Sequence, residues 1–165
     1  MGCCSAANNG EEEDGQMIPA PHTYSDWINV LASLKNKTDD DDVLCAMKAG
    51  TIEWQSGVAE RFAQKLIDAV NVRINLASDK FQTDLSRARG QEGAVVQAIL
   101  ALRKEMVFLA QAINLPAIPE DERKCYLGLV MEQADAMQKS LEDSAKNDRS
   151  GKFSSIVRNH KVNAF

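Results

Sequence analysis

TIEWQSGVAERFAQKLIDAVNVRINLASDKFQTDLSRARG, residues 51–90, decides the fold. Within it Val58, Phe62, Leu66, Ile67, Val70, Ile74, Ala77, Phe81, Leu85 and Ala88 recur at steps of three and four. That spacing places side chains on one face of an α-helix. The stretch predicts a helix over 52–89, about 55 Å long at about 1.5 Å per residue. Gly57 is its weak point, and Gly90 is a natural residue just past its end. A helix of this length outruns a compact core. It either kinks near Gly57 or projects one end toward a partner.

The same periodicity continues outward. Residues 93–114 carry Val95, Val96, Ile99, Leu100, Leu102, Met106, Val107, Leu109 and Ile113, apolar around much of the circumference, so this helix is expected at the centre. Leu115-Pro116 ends it, and Pro119 followed by Glu120, Asp121 and Glu122 opens another. Cys125, Tyr126, Leu127, Val130, Met131, Ala134, Met137 and Leu141 form the stripe of that helix. Toward the N-terminus, Ser25 is the expected N-cap of a helix bearing Trp27, Ile28, Val30, Leu31 and Leu34. Thr38 and the run Asp39–Asp42 open a short helix whose carboxylates suit the positive end of its dipole. The linkers around 89–92 and 115–118 are short, which implies antiparallel neighbours. The expected fold is therefore all-α: an up-down antiparallel bundle of about four helices plus a short one. Its parts are a flexible tether over 1–22, the bundle over 23–148 and a basic tail over 149–165.

Composition narrows the function. A chain of 165 residues predicts one domain, and a net charge of −5 argues against nucleic acid. Cys45 and Cys125 sit in helical patterns without CxxC spacing and read as reduced core cysteines. Asp68, Asp79, Asp84, Glu105 and Asp135 read as solvated carboxylates on polar faces. No Walker loop, HExxH, G-x-S-x-G or placeable Cys–His pair occurs, so neither an enzyme nor a cofactor or metal is expected. Asp39–Asp42 lacks the alternation of a calcium loop. Residues 146–157 resemble an EF-hand only in the middle, with Asp148, Ser150, Gly151 and Phe153 in place. Lys146 and Val157 stand where charged ligands belong, and calcium ligation is not expected.

The chain begins Met1-Gly2-Cys3-Cys4. Removal of Met1 would expose the Gly2 amine for N-myristoylation, beside two thiols suited to S-palmitoylation. The start resembles the dual-acylation signals of eukaryotic membrane-attached proteins, with Ala6 where a hydroxyl is usual and Ser5 one place early. That resemblance covers these few residues only and implies lipid attachment at Gly2, Cys3 and Cys4. No secretory h-region follows, and no apolar run is long enough to span a bilayer. One myristoyl chain binds membranes at only roughly 10⁴ M⁻¹, so a second signal is required. Glu11, Glu12, Glu13 and Asp14, with no cation before Lys35, exclude a polybasic signal here. Palmitate on Cys3 or Cys4 is left as that signal, which makes the anchor enzymatically reversible.

At the other end no acid follows Asp148, while Arg149, Lys152, Arg158 and Lys161 accompany Phe153, Ile156 and Val157. This tail is a candidate membrane or partner contact, with packing or a partner favoured over the bilayer. Ile52, Trp54 and Val58, near the weak point of the long helix, are the candidate protein-partner contacts. The expected function is a lipid-anchored adaptor or scaffold at the cytosolic face of a membrane. The alternative is a helical structural subunit that self-associates through the long helix, its N-terminal cysteines incidental.

Overall fold

The computed structural model describes residues 17–52, 55 and 57–165. Of the candidate positions, Gly2, Cys3, Cys4 and Trp54 lie outside the described residues. Among the described residues the protein is all-helical, with six helices packed against one another: α1 (Tyr24–Asn36), α2 (Asp40–Ala49), α3 (Val58–Ala88), α4 (Glu92–Ile113), α5 (Glu120–Lys146) and α6 (Lys152–Asn159). None of them is long and apolar enough to cross a membrane.

α4 takes the central place that its apolar circumference predicted. Ile99, Leu102, Met106, Leu109 and Ile113 are buried, and the helix packs against α2, α3, α5 and α6. α1 lies on α3, and α6 closes over α5 and the start of α4. The turn between α4 and α5 also feeds the core, since Leu115 and Ile118 are both buried.

Several boundaries differ from the sequence reading, each for a local reason. α1 is capped by Thr23, not Ser25: Thr23 Oγ1 accepts from the Asp26 N–H at 3.2 Å, and Asp26 Oδ2 accepts from the Thr23 N–H at 2.9 Å. This reciprocal pair is a capping box, which satisfies two otherwise orphaned donors. α2 begins after Asp39, whose backbone is left-handed (φ 49°), rather than after Thr38. α3 begins at Val58, not at residue 52. Gly57 does more than kink the helix: at φ 80° it sits in the left-handed region that glycine adopts without steric cost, and the helix starts after it.

Cys45 and Cys125 are exposed, not core residues. On α5 the inward stripe runs through Tyr126, Val130, Ala134, Gln138, Leu141 and Ala145, which leaves Cys125 on the outer face. Glu105 is buried rather than solvated.

Both ends of the described chain run against the core, with Val162 buried at the C-terminal side. Ile18 packs against it and Pro21 is buried, so packing begins before the boundary drawn at residue 23. Gly50 lies beneath this strap with ordinary extended backbone (φ −71°), and here space rather than conformation demands glycine. A Cβ there would fall 2.6 Å from Trp27 Cζ2 and 2.8 Å from Pro21 Cγ. Gly50→Ala is expected to cost about 1–3 kcal/mol by overpacking. Urea unfolding should show a lowered midpoint with an unchanged slope.

Candidate functional site

Ile52 and Val58, both half-buried, line a cleft of about 230 Å³ together with His22, Tyr24, Trp27, Thr51, Gln55 and Phe62. The cleft is set by a junction of four segments. The Thr51 N–H donates to the Pro21 carbonyl at 2.9 Å, and His22 Nδ1 lies 2.9 Å from Thr51 Oγ1. Trp27 Nε1 donates to the Thr51 carbonyl at 2.8 Å. The Trp27 ring meets Phe62 edge-on, centroids 5.0 Å apart and planes at 75°, an arrangement aromatic pairs favour. The Arg61 guanidinium stacks over Tyr24, its carbon 5.6 Å from the ring centroid. The lining is aromatic and aliphatic with a few hydroxyl, amide and imidazole groups. Such a surface suits an apolar anchor from a partner.

The charged centre of the fold lies elsewhere and was missed in the sequence. Arg73 is 1% exposed, yet it stands on the apolar stripe of α3. Its Nε donates to Glu105 Oε1 at 2.7 Å, and Nη1 donates to the Leu34 carbonyl at 2.7 Å and to Asp40 Oδ1 at 2.8 Å. Nη2 donates to Asp40 Oδ2 at 3.0 Å and also reaches Glu105. Four hydrogen bonds and an ion pair thus engage all three guanidinium nitrogens. Lys37 closes the cluster with a 2.8 Å bond to Glu105 Oε2, and the Phe108 ring lies 4.9 Å from the guanidinium carbon. Two cations and two carboxylates thus join the end of α1, the start of α2, α3 and α4. Burial opposes the charge on Arg73, but the hydrogen bonds from Asp40 and Glu105 outweigh it and raise its pKa above the ordinary value. With all three guanidinium nitrogens engaged, the cluster is a structural tie between helices.

No family model, curated protein or solved structure matches the chain. The functional reading therefore stands on the residues alone.

The tail candidates Arg149, Lys152, Arg158 and Lys161 are all exposed, on and around α6. The apolar side of the tail is turned inward: Val157 and Val162 are buried, and Phe153 and Ile156 pack against the core. Asp148 sets the start of α6. Its Oδ1 accepts from the Ser150 hydroxyl at 2.8 Å and the Ser150 N–H at 3.0 Å, and its Oδ2 accepts from the Phe153 N–H at 2.8 Å. Both oxygens serve the turn, which is the physical role of the partial EF-hand likeness. Among the described residues no group of three His, Cys, Asp or Glu side chains is placed to hold a metal ion.

The Ser150 hydroxyl, then the Ser150 and Phe153 amides, hold the Asp148 carboxyl below its usual range. A depressed carboxyl contributes stability above its unfolded value of about 3.9, and that contribution is lost as pH falls through the folded value. The protection factors of the α6 amides, corrected for the intrinsic pH dependence of exchange, should therefore fall as pH drops below about 4, before those of α4. Asp148→Asn should flatten this pH dependence in a hydrogen-exchange profile. Equal α6 protection factors at acid and neutral pH would contradict the assignment.

Proposed function

We propose that the protein is a lipid-anchored, non-catalytic helical adaptor or scaffold at the cytosolic face of a membrane. Acyl groups on Gly2 and on Cys3 or Cys4 hold it, and the helical domain binds a protein partner. The observation that carries this reading is the Met1-Gly2-Cys3-Cys4 start followed by an acidic segment without cations. Myristate alone is marginal and an electrostatic second signal is excluded at that end, so palmitate supplies the lasting attachment. The partner contact lies at the cleft bounded by Ile52 and Val58, where the aromatic junction offers an anchor pocket. The same reading takes α3, α4 and α5 as an up-down antiparallel set joined by short turns.

In eukaryotic cells the full-length protein is expected in the membrane pellet and to be released by hydroxylamine, which cleaves thioesters. Gly2→Ala and the paired Cys3→Ser/Cys4→Ser variant should both move to the supernatant. Equal soluble fractions for all three proteins would sink the anchor. Self-association through α3 is the second reading, favoured by Leu76, which is 54% exposed on that helix.

A further inference from the structure

We propose that the outer face of α6 and its flanks is a second membrane contact, in which Arg149, Lys152, Arg158 and Lys161 meet anionic phospholipid headgroups. The domain then lies along the bilayer instead of hanging from its tether. This orientation rests on the lipid-anchor reading for its location, though the contact itself does not require acylation.

Three observations lead there. First, the tail divides its chemistry by side. Phe153, Ile156, Val157 and Val162 face the core, so no apolar face is left for insertion as in a surface-seeking amphipathic helix. What faces solvent is cationic, and any membrane contact is electrostatic. Second, the nearby acids are engaged within the protein. Glu142 accepts from the Gln138 amide at 2.9 Å, Asp143 from Lys146 at 2.6 Å, and Asp148 from the turn before α6. Lys152 reaches Glu92 at 3.3 Å across an exposed gap, while no ion-pair partner among the described residues meets Arg149, Arg158 or Lys161. Arg158 and Lys161 also line, with Lys146, Ser154 and the single carboxylate Glu142, a shallow groove of about 230 Å³ between α5 and α6.

Third, the acidic segment of this chain is held away from the Lys152 end of the patch. The N-terminal strap is fixed beside Trp27 and Phe62 near the start of α3. Lys152, at the start of α6, lies beside Glu92, just after the end of α3. Phe62 and Ala88 are about 39 Å apart along that helix at about 1.5 Å per residue. Glu11–Asp14 precede Met17 by three to six positions, a reach of at most about 20 Å. Anionic leaflets attract clusters of this kind within a Debye length.

The test replaces the natural anchor, so that its result is independent of acylation in cells. The full chain with an N-terminal hexahistidine tag is captured on vesicles containing a trace of nickel-chelating lipid. The vesicles are phosphatidylcholine alone or phosphatidylcholine with phosphatidylserine. Retention at low salt is expected to be about tenfold or more greater with phosphatidylserine, and to fall toward the phosphatidylcholine value at high salt. Arg149→Gln/Lys152→Gln/Arg158→Gln/Lys161→Gln should remove that gain and leave retention on phosphatidylcholine unchanged. If the four-fold variant does not fold, Arg158→Gln/Lys161→Gln should remove part of the gain. Equal retention of the wild type on both compositions overturns the proposal and turns the patch toward an acidic protein. A gain that survives the substitutions overturns it as well. Loss of the lipid anchor would appear instead in the fractionation of Gly2 and cysteine variants.

Discussion

Arg73→Met is expected to destabilise the protein by about 3–5 kcal/mol, because it leaves Asp40 and Glu105 partly or wholly buried without their cation. The guanidinium is 1% exposed at its side chain and Glu105 only 10%, so water replaces little of what is lost. Lys37 keeps its bond to Glu105, yet it is 54% exposed and screened. Lys37→Gln should therefore cost no more than about 1 kcal/mol. The contrast between these two cations is the useful part of the experiment. Removing the charges together, as in Arg73→Met with Asp40→Asn and Glu105→Gln, should recover a large share of the loss, since the cost comes from stranded charge. Urea denaturation of the four proteins checks it. An Arg73→Met protein within about 1 kcal/mol of wild type would contradict the tie between α1, α2, α3 and α4.

Trp27→Ala should be comparably severe, at about 3–5 kcal/mol for removal of a buried indole. Trp27 is 2% exposed and carries three connections at once: the edge-on contact with Phe62, the Nε1 bond to Thr51, and the seat against Gly50 and Pro21. Its loss empties the junction that fixes the N-terminal strap and shapes the cleft. Trp27→Phe separates the terms. It keeps most of the apolar contact and forfeits the hydrogen bond, so about 1 kcal/mol plus a modest cavity cost is expected. Thermal unfolding ranks the pair. Equal effects of Phe and Ala would show that the hydrogen bond, not the packing, holds the strap.

How far the sequence disclosed this fold depended on periodicity. α4 could be read within a residue at each end because its apolar repeat is unbroken and Leu115-Pro116 stops it. α3 was overrun at its start because Ile52 and Val58 kept helical spacing across Gly57, whose left-handed backbone no hydropathy pattern reveals. The cap of α1 was misplaced because Ser25 and Thr23 are both good N-caps, and only Thr23 has Asp26 three positions on to complete the box. Cys125 was placed inside because its neighbours Tyr126 and Leu127 are apolar. One residue of phase around a helix turns the stripe by about 100 degrees.

The charged tie was the larger omission. Arg73 stands beside Ile74 and three positions after Val70, on a face otherwise apolar. A cation there asks for buried carboxylates. The acidic run at Asp39–Asp42 was assigned wholly to the helix dipole, although Asp40 is committed to Arg73. Glu105 offered a second clue, since it directly precedes Met106 on the most apolar helix. What the sequence could not show is that these residues, far apart in the chain, converge on one point. The proposed acylation signal is the opposite case: it is local, carried by the first few residues, and independent of how the domain folds.

The central claim is tested most directly by mass spectrometry of the N-terminal peptide from full-length protein made in eukaryotic cells. The account predicts loss of Met1, a myristoyl group on the Gly2 amine, and a hydroxylamine-labile acyl group on Cys3 or Cys4. An N-terminal peptide with an unacylated Gly2 and unmodified Cys3 and Cys4 thiols would contradict it.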